Sequence, residues 1–334
     1  LNLIFAPAAF SGSAITLEII YTMINLSRKY GNSFSTLYSY VNYGTLVSWS
    51  VPDIDLAYQL GQLSLNLLEK LSAKVIAPRV KVAFYINISH KKRHLNETLE
   101  PFKQSVQDAL AVGDIEFACH NGNFYCDHLL FLGRRLEEVH KSQRQYLELC
   151  YRNGQEHQLY LTKVATQFVA NLLDQSQLQK TLNGNFLNES EAISYLLSLN
   201  NQIVIFNIYT FKAILCYLTQ DYSQAIQHSK TALNYSGFVI TEFIFTEHNL
   251  FYSLALLGQF EGGAVSELSH YEEMQQVITN QESMKLWANY APMNYQYRYD
   301  LVEAEKARVL GENLTAMALY DQAIERAKEN GFIQ

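Results

Sequence analysis

Apolar residues along this chain recur every three or four positions, not every two. Val106, Ala109 and Leu110 show the spacing, as do Leu301, Val302, Ala304, Ala307, Val309 and Leu310. That period gathers side chains on one face of an α-helix and predicts helices throughout. Proline and glycine mark the joints. Asp53, after Pro52, is a good N-cap for the stretch Ile54, Ala57, Tyr58, Leu60, Gly61, Leu65, Leu68. Pro78 and Pro101 lie where new helices start, and Pro292 separates Trp287-Ala288 from a helical run beginning near Asn294. Gly31, Gly113, Gly133, Gly237, Gly311 and Gly331 stand at the ends of periodic stretches, as C-terminal stops do. The reading gives roughly fifteen helices of ~12–20 residues joined by short connections. Residues 175–188, rich in Gln, Asn and Leu, and 259–270, with Gly262-Gly263, read as longer loops or repeat insertions.

A degenerate repeat underlies the pattern: a helix with small residues, Asp/Gly punctuation, and a second helix with Ala or Ser seven residues after a first Ala. The clearest copy is Ala304, Ala307, Gly311, Ala316, Tyr320, Ala323, Ile324, Ala327. A second is Tyr209, Ala213, Cys216, Asp221-Tyr222, Ala225, Ser229, Ala232, and a weaker third is Tyr43-Gly44, Ala57, Gly61, Ser64. Small residues let the two helices of a hairpin approach, and no hairpin buries its own outer face, so neighbours must stack. The expected fold is all-α: a right-handed superhelix of stacked helical hairpins, a tetratricopeptide-like α-solenoid. Its N-terminal hairpins would span 1–175 and its C-terminal repeats 176–334, as one continuous solenoid.

Composition narrows the partners. The net charge of −7 argues against nucleic acid, where Lys and Arg must neutralise phosphates. The one basic cluster, His90, Lys91, Lys92, Arg93, His94, reads as a solvated helix end. No apolar run reaches the ~18 residues a membrane span needs. Cys119, Cys126, Cys150 and Cys216 form no CxxC pair and read as reduced, mostly buried thiols of a cytoplasmic protein. With 49% apolar and only 17% charged residues, the chain can bury a large core and keep apolar surface for neighbours. It opens on Leu1 rather than Met, from which we expect that it was cut from something longer.

Several ordered motifs carry a resemblance. They are Met284-Lys285-x-Trp287-Ala288-x-x-Ala291-Pro292-Met293-Asn294; Leu301-Val302-Glu303-Ala304-Glu305-x-x-Arg308-Val309-x-Gly311; Ala316-x-x-x-Tyr320-Asp321-x-Ala323-Ile324; and Gly331-Phe332-Ile333. Earlier come Met23-Ile24-Asn25-Leu26-Ser27-x-Lys29-Tyr30-Gly31-Asn32, Asp53-Ile54-x-x-Ala57-Tyr58-Gln59-x-Gly61-Gln62-Leu63 and Tyr125-Cys126-x-His128-x-x-Phe131-x-Gly133. Over nearly its whole length the chain resembles the central helical region of the very large bacterial, mainly cyanobacterial, multi-sensor signal transduction multi-kinases. Those proteins place a serine/threonine kinase and an AAA/NACHT-type ATPase before this region, and a GAF sensor and usually a histidine kinase after it. The resemblance implies a parent that signals by phosphoryl transfer. ATP and Mg²⁺ would belong to its other domains, and the flanking domains of the same polypeptide would be this segment's partners.

No catalytic constellation is legible. The GxxxxGK[ST] phosphate loop is missing, and so are a kinase Gly-rich loop, an HRD-type loop and DFG. Glu138-Val139-His140-Lys141 lacks the following Pro of a phosphoacceptor helix, so His140 reads as a surface residue. Cys119, His120, Cys126 and His128 are the most metal-like group, but Cys119 and Cys126 would lie about 10 Å apart along one helix. We therefore expect neither a metal nor a cofactor. Glu303 and Glu305 point to different helix faces and read as solvated or paired with Lys306 and Arg308. Trp287, Tyr290, Tyr295, Tyr297 and Tyr299 form an aromatic patch around Pro292, either inter-helix packing or a groove for a peptide or partner helix. The function expected is a non-catalytic scaffold that relays a signal to an attached ATPase or kinase. The alternative is a stand-alone peptide or small-molecule receptor, with a pocket of aromatics and Asn/Gln on the concave face.

Overall fold

The computed structural model describes residues 15–51, 53–174, 178–260 and 267–332, together with Ile4 and Ala8. Among these there are fifteen α-helices and no strand: α1 Ile15–Tyr30, α2 Phe34–Ser50, α3 Ile54–Lys70, α4 Ala77–Asn87, α5 Leu99–Ala111, α6 Ile115–Phe131, α7 Leu136–Arg152, α8 Glu156–Leu173, α9 Glu189–Ser198, α10 Gln202–Leu218, α11 Tyr222–Leu233, α12 Phe243–Gln259, α13 Glu267–Tyr290, α14 Pro292–Val309 and α15 Asn313–Glu329. None is long and apolar enough to cross a membrane.

Local chemistry sets the joints. Asp53 Oδ1 accepts from Leu56 N (2.9 Å) at the start of α3. Pro292 is the first residue of α14, two positions earlier than the spacing indicates. At Gly311 the backbone turns left-handed (φ 78°), and Glu312 N reaches back to Ala307 O (2.9 Å). Gly adopts this left-handed conformation without the backbone strain that an L side chain would carry there. Residues 178–188 are irregular, as expected. Of the second expected loop, 261–266 lie outside the described residues and α13 already begins at Glu267. The correction has a simple cause: Glu, Leu, Ser and His at 267–270 carry no turn signal once the glycines are passed.

Consecutive helices pack on one another, except that α8 and α9, separated by the irregular segment, meet mainly through Tyr160 and Tyr195, and the even-numbered helices also pack on one another in series, from α2 through α14. The odd-numbered ones show no comparable next-but-one packing. This is the two-layer arrangement of stacked hairpins, with an inner row of even helices and an outer row of odd ones. Sequence follows layer. Inner α10 and α12 are apolar nearly all round and buried over most of their length. Outer α3, α5, α7 and α11 bury only a stripe.

All three repeat copies are real hairpins. Ala304, Ala307, Ala316 and Ala323 are buried between α14 and α15, and Ala213, Cys216, Ala225, Ser229 and Ala232 between α10 and α11. The copy weakest in sequence is among the tightest. A Cβ on Gly44 would come within 2.9 Å of Ala57 O, one on Gly61 within 2.3 Å of the Phe84 ring, and Ser64 Oγ donates to Leu37 O (2.9 Å). One buried core lies within α1–α4, and a larger one runs without interruption from Leu95 to Phe332.

Candidate functional site

The connector between α4 and α5 decides how the solenoid is closed. It contains two short 3-10 turns, Ser89–Lys91 and Leu95–Thr98, anchored by the fully buried Ile88, just before the first, and Leu95, which opens the second. Burying those apolar residues draws the basic cluster inward. His90 is 1% and Lys91 6% exposed, so this is a buried segment and not the solvated helix end that its charge indicates. Only Arg93 is well exposed, paired with Glu97 (2.6 Å).

The connector is received by residues about 200 positions away. Asn294, fully buried, accepts from Leu95 N (3.0 Å) and donates to His90 O (2.7 Å) and Arg93 O (2.8 Å). Its amide thus satisfies three backbone groups that have no helix to satisfy them. His94 Nε2 meets Asn330 O (2.8 Å). His90 Nε2 lies 3.0 Å from Thr241 O and can only donate there, so its Nδ1 accepts from the Tyr295 hydroxyl. Burial, with Lys91 and His128 nearby, holds the His90 pKa well below its ordinary value and keeps the ring in this neutral form. Below it, Phe243 stacks on Tyr295 (ring centroids 5.8 Å) and meets His90 edge-on (5.6 Å). The seam is completed by a buried ion pair, Arg298 to Glu247 (2.5 Å), whose guanidinium lies over Phe243, Tyr297 and Phe332.

On the inner row, next to this seam, lies a cavity of about 820 Å³ of empty space, part of it open to solvent. Its walls come from α1 (Ile20), α2 (Tyr38, Asn42, Trp49), α4 (Ile86, Asn87), α6 (Phe117, His120, Phe124), α8 (His157, Leu161) and α10 (Ile203). Thr241 and Glu242, at the entry to α12, complete it. Aliphatic and aromatic surface dominates, with a few convergent polar groups, as in small-molecule sites generally. Thr241 Oγ1 donates to Asn87 Oδ1 (2.6 Å), fixing this wall to α4.

Burial shapes the pocket's titrations. The His120 pKa falls to about 3, through desolvation and then His157, and that of His157 to about 4 through desolvation. Glu242 is pushed up to about 8 by burial and by the neighbouring Asp127 carboxyl, which burial itself raises to about 7. At neutral pH the pocket therefore presents neutral imidazoles and a carboxyl that readily holds a proton.

No protein-family model matches this chain, and no curated protein is significantly similar to it.

The aromatic patch around Pro292 is divided by its surroundings. Tyr295 is wholly buried and bound to His90. Trp287 packs against Phe245 and Tyr295, and Tyr297 against Phe332 and Arg298. Tyr290 lies under Lys92 (4.8 Å), and Tyr299 is half-buried, its carbonyl accepting from Gln281 (3.0 Å). Part of the face is thus covered by the chain's own connector.

The Cys119, His120, Cys126, His128 group is dispersed. Both thiols are buried in the core, His120 faces the pocket, and His128 is tied to Thr98 Oγ1 (2.6 Å). Among the described residues no three His, Cys, Asp or Glu side chains gather as a metal site requires. All four cysteines are buried thiols. His140, expected at the surface, is half-buried, its ring edge-on to Phe186 (5.4 Å) from the irregular segment. Glu303 and Glu305 pair with Lys306 (3.1 Å) and Arg308 (2.7 Å), as their spacing indicates.

Sequence reasoning missed Tyr38, Trp49, His120, His157 and Glu242 as a set, because they are spread over four elements far apart in sequence. The legible signal was Glu242 itself, a lone carboxylate within Val239-Ile240-Thr241-Glu242-Phe243-Ile244-Phe245. A carboxylate in such a run is seldom there for packing.

Proposed function

We propose that this chain is a non-catalytic sensor-relay scaffold that binds a small ligand in the inner-row pocket and transmits its presence to the C-terminal repeats. One observation carries the reading: His90 joins the pocket to the seam. Its Nε2 holds the carbonyl of Thr241, whose neighbour Glu242 faces the pocket, while its Nδ1 is held by Tyr295 on α14. A ligand that displaces the 241–242 wall must shift that chain of bonds or be resisted by it. It redistributes the scaffold only by its differential affinity for the two arrangements. We take the superhelix to be right-handed and the protein to be cytoplasmic. In a multi-kinase parent, the relay would act on flanking ATPase and kinase domains of the same polypeptide, where ATP and Mg²⁺ would bind.

The pocket also favours a second reading, a stand-alone small-molecule receptor. Deleting this segment from the parent separates the two: kinase output changes under the relay reading and not under the receptor one.

Thermal-shift screening of the chain against small metabolites tests the shared premise, since a ligand at a hundred times its Kd stabilises the native state by about 2.7 kcal/mol. A hit should slow amide exchange around Thr241 and in residues 292–298, and His90→Phe should preserve the first effect and lose the second. Protection confined to the pocket helices in the unmutated chain defeats the relay, and the absence of any stabilising ligand defeats the sensor.

A further inference from the structure

We propose that the inner-row pocket takes a small organic cation, an alkyl- or arylammonium ion, with the Glu242 carboxylate as its counter-ion. This rests on the reading of the pocket as a ligand site and names what the ligand must carry.

Glu242 is 8% exposed and forms part of the pocket wall. Among the described residues no cation pairs with its carboxylate and no side chain hydrogen-bonds to it. The neighbouring buried carboxylate Glu247 is satisfied by Arg298, and Glu189 by Lys212 and Leu182 N. An unpaired carboxyl in an apolar wall costs stability, and a Leu there would serve packing better. Its presence there is explained if the missing partner arrives with a ligand.

The surrounding walls suit a positive charge. Tyr38, Trp49, Phe117 and Phe124 bring aromatic rings to the same cavity, and ring faces attract an ammonium group within about 6 Å. Trp49 and Tyr38 lie on α2, Phe117 and Phe124 on α6, so the rings come from two elements.

The other charges nearby do not oppose this. Asp127 on α6 has the same sign as Glu242 and adds to the negative potential. His120 on α6 and His157 on α8 are neutral above about pH 5, for the burial reasons given, and burial keeps the Tyr38 hydroxyl protonated. Arg79, beside Phe117, is engaged by Asp114 (2.7 Å). Lys91 on the connector donates to Ser48 Oγ (3.0 Å), and burial lowers its pKa to about 7. His90 is neutral and occupied by Tyr295 and Thr241. With the pocket free, Glu242 holds a proton near neutrality. A bound ammonium ion favours the carboxylate, so binding at pH 7 releases that proton.

Isothermal titration calorimetry of the full chain with benzylammonium, benzyl alcohol and benzoate tests the assignment. These probes share a ring and differ in charge. At pH 8 benzylammonium should bind at least tenfold more tightly than benzyl alcohol, with benzoate weakest. Heats in phosphate and PIPES at pH 7, buffers that carry no primary ammonium group, should differ by the difference in the buffers' ionisation heats for the proton released. Glu242→Gln, isosteric and uncharged, should bring benzylammonium down to the affinity of benzyl alcohol, and Trp49→Leu should weaken benzylammonium several-fold more than benzyl alcohol. Equal binding of benzylammonium and benzyl alcohol, or a preference that survives Glu242→Gln, overturns the cation assignment and leaves the pocket a ligand site. No heat with any of the three overturns both.

Discussion

Asn294 lies 199 residues from Leu95 in sequence, and its amide is the sole partner of that residue's N–H among the described residues. Replacing Asn294 by Ala removes three hydrogen bonds and strands the buried Leu95 N–H, the buried His90 C=O and the part-buried Arg93 C=O. A net hydrogen bond contributes about 1 kcal/mol, and a buried backbone group left unpaired costs about 1–3 kcal/mol. Water entering the space vacated by the amide recovers part of that. The expected destabilisation is about 3–5 kcal/mol. For a chain of this length, with unfolding entropy near 2.1 cal/mol/K per residue, that lowers Tm by roughly 4–7 °C. The local consequence is larger: if the connector opens by itself, exchange at the Leu95 amide accelerates about a thousandfold. Asn294→Asp sharpens the test, because it keeps an acceptor for Leu95 N but turns two donor contacts into a buried carboxylate facing carbonyl oxygens. It should be at least as damaging as Ala. Asn153→Ala serves as control, since its Nδ2 bond to Leu149 O (2.8 Å) is exposed and worth at most about 0.5 kcal/mol. The assay is urea denaturation combined with residue-resolved amide exchange. A loss under about 1 kcal/mol for Asn294→Ala with unchanged Leu95 protection, or an Asp variant as stable as the native chain, refutes the claim that this amide holds the connector.

Three further outcomes follow from the same structure. Glu247→Ala should cost about 3–5 kcal/mol by leaving the Arg298 guanidinium buried without its carboxylate, whereas Glu247→Leu combined with Arg298→Met should recover most of that loss; a double-mutant cycle in urea checks it, and simple additivity counts against the pair. Gly44→Ala should destabilise by about 1–3 kcal/mol, because the new methyl meets the Ala57 carbonyl, which as backbone cannot turn aside; calorimetry showing no change removes the close-packing argument for α2 and α3. Stability should fall with acidification between pH 6.5 and 4, read from urea midpoints: His128 has its pKa lowered to about 3 by burial, so below the unfolded value near 6.5 only the unfolded chain takes up the proton, at about 1.4 kcal/mol per pH unit. His120, His157 and His248 act in the same direction, outweighing the raised Glu242 and Asp127, which act oppositely. His128→Gln should reduce the slope by one proton's worth, and an unchanged slope contradicts the assignment.

What the sequence settled by itself is local. Apolar spacing, caps and breakers are written within a few residues of where they act. Hence Asp53 caps α3, Pro292 opens α14, Gly311 closes it, and Glu303 and Glu305 find Lys306 and Arg308 one turn away. The small-residue hairpins were equally legible, because closeness between consecutive helices leaves its mark on both. Closure of the solenoid was not. The charges of His90–His94 point to solvent, and only the tertiary structure supplies Asn294, Tyr295, Thr241 and Asn330, which make their burial tolerable. The pocket was hidden for the same reason: Trp49, His120, His157 and Glu242 occupy four separate elements, and nothing in their spacing relates them. A helical period encodes which face turns inward, but which inward faces meet depends on how the successive hairpins curve, a sum of small rotations at every helix contact that no single stretch of sequence contains.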